Sequence, residues 1–258
     1  MSSLNLWCYW IGSSDTLLGS LVELNNKVNL QNIERITAYG VGAVFSTLMA
    51  VGYSIDDILQ EVRRNNFIKD TPPINISNIL SGSVISLDSL KLHMSLRIRS
   101  KLGVVPTLKQ LRLMTGVHLQ ILCYNTQENR VRDLHEDTDV IEAIMMSCSL
   151  PLILGVNGVM MNPVLNDPLP LEFVEDNSII IYISPGGSGI TGSIGSAINS
   201  ITGLVRSLKD MKLKFITRDQ LKLRSITLYD IESSGGNQFI AGMEAMRSFY
   251  DRRDEIIL

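Results

Sequence analysis

The sequence predicts an α/β fold, with helices on both faces of a mostly parallel central sheet, and three observations carry that reading. Ser178 to Ser184 is a continuous, largely β-branched run, as suits a strand buried on both faces. Ile33 to Asp57 passes from a short β-branched strand through Tyr39-Gly40-Val41-Gly42 into an apolar stretch carrying Val44, Phe45, Leu48 and Met49 at helical spacing, so two glycines mark a tight strand-to-helix turn. The 258 residues, 45% of them hydrophobic, suffice for one substantial core between two helical layers, and residues 1–258 are read as a single domain.

The remaining elements follow in order. Leu4 to Ile11 is a strand ending at Gly12-Ser13-Ser14-Asp15, and Leu17, Leu18, Leu21, Val22 and Leu24 then recur as a helix capped by Ser14 or Asp15. Ser54-Ile55-Asp56-Asp57 has the form of a capping box opening a helix with Ile55, Ile58, Leu59 and Val62 as its apolar stripe. Thr71-Pro72-Pro73 is a break, and a loop-rich connection runs on to Ser83. Leu87 to Arg99 is a helix with Leu90 and Met94 inward; Lys91, Arg97, Arg99 and Lys101 on or beyond it read as a solvated face in preference to an anionic-lipid patch. Thr107 and Gln110 box the start of a short helix that Gly116 stops.

Val117 to Tyr124 and Arg130 to Leu134 are strands joined by the Asn125–Asn129 turn, and Asp137-Thr138 caps a helix from Val140 to Ser149. Asn157-Gly158 is a hairpin-type turn. Pro185 to Gly195 is a Gly/Ser-rich loop entering a helix with Ile194, Ile198, Ile201, Val205 and Leu208 on one stripe, read as packing on its own domain in preference to a partner or a lipid. Ile226 to Ile231 is the last strand, and Phe239 to Asp254 a closing helix with Met243, Met246, Phe249 and Tyr250 inward.

A net charge of −3 with dispersed Lys and Arg offers no basic stripe for nucleic acid. Cys8, Cys123 and Cys148 do not combine with His93, His118 or His135 in a metal-ligand pattern; they read as small buried thiols of a reducing compartment, with no metal and no cofactor expected. The opening MSSLNLWCYWIG reads as a first strand and not as a signal peptide, and no unbroken apolar span of about eighteen residues follows. A cytoplasmic location is the expectation, with a peripheral membrane contact left open.

The strand-to-helix turn carries the chemical question. Hydrolases with such a turn place a serine nucleophile there in G-x-S-x-G, whereas Ala38-Tyr39-Gly40-Val41-Gly42 has glycine at the centre. Ile36 to Ala43 resembles, without a gap, the elbow I-x-G-T-S-A-G-A of the patatin family of lipid acyl hydrolases, and Val51-Gly52-Tyr53-Ser54 closes the helix in the family's manner. The resemblance extends collinearly through Gly19-Ser20-Leu21, Thr107 to Leu134 and Ser147-Cys148-Ser149-Leu150-Pro151. Against the family's Y-x-D-G-G-x-x-[DN]-N-x-P, Asn162 takes the aspartate position and Pro163-Val164 replace the glycines; of the glycine-rich oxyanion loop, Gly12, Ser13 and Ser14 remain.

The resemblance implies a three-layer α/β/α patatin-like fold whose serine would attack an acyl ester while the aspartate takes the proton. Glycine at 40 has no atom to attack with, and an amide at 162 accepts no proton near neutral pH. No catalytic residue is therefore expected. Gly40 and Asn162 mark a degenerate dyad, Tyr39, Val41 and Gly42 frame the elbow, and glycine also relieves the backbone strain of such a turn. The implied role is that of a pseudoenzyme retaining a lipid or fatty-acyl ligand or a protein partner, as a homo- or hetero-oligomer. The alternative is a lipid acyl hydrolase recruiting Ser13, Ser14, Asp15 or Asp167.

Overall fold

The computed structural model describes residues 3–65, 83–150, 152–154, 159–184, 192–216, 218–233 and 237–256. The strands are β1 (Ser3–Cys8), β2 (Arg35–Gly40), β3 (Ser83–Ile85), β4 (His118–Asn125), β5 (Arg130–Asp133), β6 (Leu152–Leu154), β7 (Met160–Met161), β8 (Ser178–Ser184) and β9 (Thr227–Glu232). The helices are α1 (Ser14–Lys27), α2 (Val41–Ala50), α3 (Ile55–Asn65), α4 (Asp88–Leu102), α5 (Leu108–Thr115), α6 (Val140–Cys148), α7 (Gly192–Phe215), α8 (Arg218–Leu223) and α9 (Gln238–Ile256). The break at Thr71-Pro72-Pro73, the Asn157-Gly158 turn and residues 185–191 lie outside the described residues.

The main sheet runs in the order β5-β4-β2-β1-β8-β9, with β7 also paired to β4. The pairs β2–β4, β1–β2, β1–β8 and β8–β9 are parallel, and only β5 and β7 run antiparallel, both against β4. β3 and β6 form a separate parallel pair.

Residue alternation assigns the two faces. Leu4, Leu6, Ile36, Ala38, Ile121, Ile179 and Ile181 share one buried cluster with Leu17 and Leu21 of α1, Phe45 and Leu48 of α2, Ile144 of α6 and Met246 of α9. Trp7, Tyr39, Leu122, Ile180 and Tyr182 point the other way, into a cluster with Val164, Leu169 and Val205 of α7. Helices on both faces of a mostly parallel sheet are the three-layer architecture expected from the sequence. Every residue of β1 and β8 is buried, which is why Ser178–Ser184 shows no polar alternation.

Several local signals hold to the residue. Ser54 N–H donates to Asp57 and Asp57 N–H to Ser54 Oγ, each at 3.1 Å, so the capping box opening α3 is reciprocal. Thr107 and Gln110 make the second box, and Gly116 ends α5 in the left-handed region at φ +77°. Two caps differ from expectation. Asp139, not Asp137-Thr138, caps α6 by accepting from Ile141 and Glu142 N–H, because a turn closed by Thr138 N–H on the His135 carbonyl takes up the two earlier candidates and a bridge to Thr107 sets Asp139 just before the helix. At α1 the N-cap position falls on Ser13, whose side chain makes no capping bond, since a 3-10 turn (Ile11–Ser13) leads straight into the helix.

α7 already begins at Gly192, inside the stretch read as loop, and along its described part Val205 is buried with Ile201 and Leu213 packed on the same cluster. It packs on its own chain, as expected. α9 lies against α1, where a Cβ on Gly19 would sit 2.0 Å from the Phe239 carbonyl oxygen and one on Gly242 2.1 Å from that of Thr16. Backbones this close leave no room for a side chain on either partner. Among the described residues, no helix is long and apolar enough to cross a membrane.

Candidate functional site

Gly40 is the last residue of β2 and pairs in register with Cys8, the last of β1, so both stand at the carboxyl edge of adjacent parallel strands. The chain turns from β2 into α2 at this one residue, with φ +59° and ψ −135°. L residues rarely adopt that conformation, and glycine does so freely. This is the tight strand-to-helix turn the sequence called for. The Gly40 N–H donates to Ser147 Oγ at 3.0 Å, and that hydroxyl donates to the Leu122 carbonyl at 2.8 Å, tying the turn to α6 and β4. Val41 is buried behind it, and Gly42 lets α2 approach β1 so closely that a Cβ would fall 2.0 Å from the Leu6 carbonyl oxygen.

What stands in front of Gly40 decides what the turn can do. A Cβ built on Gly40 would lie 2.4 Å from the Cys8 carbonyl oxygen, 2.8 Å from Tyr9 Cα and 3.0 Å from Asn162 Nδ2. The first two neighbours are backbone of the sheet's central strand and the residue just past it, and cannot swing aside as a flexible side chain would. The volume that a side chain at position 40 would need is occupied by protein.

Asn162 is fully buried and completes this plug. Its backbone N–H donates to the Ser149 carbonyl at 2.9 Å. Its Oδ1 accepts from Val164 N–H at 3.1 Å, capping a 3-10 turn (Pro163–Leu165), and its Nδ2 donates to the Tyr9 carbonyl at 3.4 Å. Donor and acceptor of the amide are both in use. A carboxylate could reproduce the bond to Val164 but not the one to Tyr9. Pro163, at the first position of the turn, contributes a fixed φ where no N–H is needed.

The surroundings are largely apolar. Tyr39 is buried, stacks against Trp7 with ring centroids 6.3 Å apart, and donates its hydroxyl to the Pro168 carbonyl at 2.8 Å. Tyr9 reaches Thr202 of α7, hydroxyl to hydroxyl, at 3.2 Å. Burial pushes the Tyr9 phenol up to about 12 and the Cys148 thiol to about 12, and raises Cys8 as well, so these groups stay neutral. Asp167 accepts from Leu169 N–H at 2.9 Å and is paired with Lys212 of α7.

The structure thus brings Gly40 and Asn162 together, with Tyr39, Val41 and Gly42 around the turn. Gly12, Ser13 and Ser14 are placed at the start of α1. The contacts in front of Gly40 come instead from Cys8 and Tyr9. The Ser13 and Ser14 side chains are buried, and Gly12 is exposed beneath the Trp10 indole. Ser147 is the participant that sequence reasoning missed: its run was noted as a motif, but a hydroxyl bonding across 107 residues has no local signature. A cleft of about 290 Å³ does open at the opposite, amino end of β2, between Ile33, Ile36, Met49, Tyr53, Ile55 and Val117; Gly40 and Asn162 do not line it.

No known protein-family model matches this chain. An uncharacterized protein, R571, of Acanthamoeba polyphaga mimivirus is 29% identical over 147 residues, covering 54% of this chain and 48% of that protein, so the chain spans about half the length of that relative. Among solved structures, VipD from Legionella pneumophila superposes with a TM-score of 0.52 at 12% identity, over 96% of this chain and 67% of VipD. The complex of full-length ExoU with SpcU, from the type III secretion system of Pseudomonas aeruginosa, contains a chain that superposes with a TM-score of 0.51 at 13% identity, over 98% of this chain and 52% of that one. At these identities the likeness is one of fold: the α/β arrangement built here from its own residues recurs, over nearly the whole of this chain, in two bacterial proteins.

Proposed function

We propose that this chain is a degenerate patatin-like phospholipase-fold protein, a single domain that performs no acyl transfer at its strand-to-helix turn and is retained for binding, either of a lipid or fatty-acyl group or of a protein partner. One observation carries the reading: the backbone of Cys8 and Tyr9 lies where the side chain of a nucleophile at position 40 would have to stand. Two further features support it. Gly40 offers no nucleophilic atom, and Asn162, at the position of the base, spends its amide on Tyr9 and Val164. The alternative of a hydrolase recruiting Ser13 or Ser14 meets the burial of both side chains, which keeps an ester carbonyl from reaching either hydroxyl.

The test is covalent labelling with a fluorophosphonate serine probe, paired with an esterase assay on short-chain acyl esters. The expected result is no stoichiometric labelling and no turnover above buffer, for the wild-type chain and equally for the double variant Gly40→Ser/Asn162→Asp, because restoring the two residue types does not reopen the space. Turnover that titrates with the probe in the wild-type chain overturns the proposal. Mass spectrometry of organic extracts of the purified protein separates the two binding roles: a co-purifying acyl lipid favours the first, and its absence the second.

A further inference from the structure

α4 is apolar on two opposite stripes. Leu90, Met94 and Ile98 are buried against the body of the protein, as their spacing requires. Leu92 and Leu96, one turn apart on the other side, are 64% and 58% exposed. Val104, just past the helix, and Leu113 and Met114 on α5 are exposed as well, so five large apolar side chains face water within one short stretch of chain. Leucines left in water on a helix that already has a buried face are unneeded for folding.

The same stretch is strongly basic. From Asp88 to Gly116, Lys91, Arg97, Arg99, Lys101, Lys109 and Arg112 stand against Asp88 alone, in a chain whose net charge is −3. Arg97 is paired with Glu61, Lys109 with Glu136, and Lys101 lies over the Tyr53 ring. Lys91, Arg99 and Arg112 are exposed and make no ion pair among the described residues. Arg99 follows Leu92 by seven positions, on the leucine stripe itself, and Lys91 with Ser95 and Arg99 forms one wall of a cleft of about 460 Å³. Asp139 and Glu142 of α6 stand on the other wall, Asp139 turned to the helix N–H groups it caps.

We propose that the outer face of α4 docks this protein on an anionic phospholipid surface, with Leu92 and Leu96 entering the interface and Lys91 and Arg99 meeting phosphate or carboxylate headgroups. Interspersed leucines and unpaired cations are what an interfacial helix presents. A protein partner is the poorer match, since interface anchors are enriched in tyrosine and tryptophan and poor in leucine, and residues 88–116 contain no Phe, Tyr or Trp. The inference is independent of whether the turn at Gly40 is catalytic.

The experiment is co-sedimentation of the full chain with large vesicles of phosphatidylcholine, with and without phosphatidylserine. The wild-type chain is expected to pellet with the anionic vesicles and to be released as salt is raised. Lys91→Glu/Arg99→Glu is expected to weaken that binding about thirty-fold or more, at roughly a fivefold step of surface attraction per cation lost. Leu92→Ser/Leu96→Ser removes the apolar anchors and is expected to weaken it at least several-fold, while Glu142→Gln, which removes a repelling charge, strengthens it about fivefold. Unchanged far-UV circular dichroism and melting confirm that the variants fold, as their exposure leads one to expect. Failure of the wild-type chain to pellet, or retention of full binding by both double variants, overturns the proposal; so does saturable binding of a protein to this face with no vesicle binding.

Discussion

Gly40 meets two constraints at once, a backbone angle that favours glycine and a neighbouring backbone that excludes a Cβ. Either alone costs a non-glycine residue about 1–3 kcal/mol. Gly40→Ala is therefore expected to lower the unfolding free energy by about 3 kcal/mol or more, read from urea denaturation. Asn162→Asp tests the same closure from the opposite side. It places a carboxylate in a fully buried site facing the Tyr9 carbonyl, and is expected to cost about 3 kcal/mol near neutral pH, the scale of an uncompensated buried charge. At this scale the sequence was legible in part. Which residues occupy the two positions could be read from their motifs, because those motifs are local. That the segment after β1 presses onto Gly40, and that Ser147 holds the Gly40 N–H, could not, because both contacts join distant parts of the chain.

Helix boundaries divide in the same way. The boxes at Ser54–Asp57 and Thr107–Gln110 and the stop at Gly116 are contained in four residues or fewer, and the chain forms them as written. At α6, three consecutive residues, Asp137, Thr138 and Asp139, are all competent caps, and the choice falls to the turn closed on His135 and the bridge from Asp139 to the distant Thr107. The crossing of α1 and α9 is a matter of packing between elements more than two hundred residues apart, and it gives a paired test. Gly19→Ala gains helix propensity but places a methyl 2.0 Å from the Phe239 carbonyl oxygen, and is expected to destabilise by about 1–3 kcal/mol. Gly203→Ala on α7 meets nothing within 4 Å and is expected to stabilise by about 0.5–1 kcal/mol. Thermal melting of the two variants should move in opposite directions. The exposed leucines of α4 were not legible as exposed, since a helix with apolar residues on two sides gives no periodic signal to say which side is buried.

Over the whole molecule, the alternation of strands and helical stripes sufficed for the layers and for the predominance of parallel pairs, while the strand order could not be read, because parallel strands pair without any turn to join them. One charged tie spans nearly the full chain. Glu23 of α1 is buried and accepts two hydrogen bonds from Arg247 of α9, whose guanidinium holds the carboxyl below its usual range. A carboxyl with a depressed folded pKa stabilises at pH values above its unfolded pKa of about 4.3 and loses that contribution as pH falls through the folded value. Arg247→Met is accordingly expected to lower the urea midpoint at pH 7 and to converge with the wild-type chain only as pH falls through that depressed folded value.

The placement of β1 at the middle of the sheet also governs the order in which the molecule can be assembled as it leaves the ribosome. Leu4 has one neighbour at Ile36 and the other at Ile179, so one edge of β1 waits until Ser178–Ser184 has been made. Until β8 emerges, that edge presents unsatisfied amides and carbonyls flanked by Leu4, Leu6 and Trp7, an adhesive template for any other nascent strand. Truncation before Ser178 should consequently yield insoluble material.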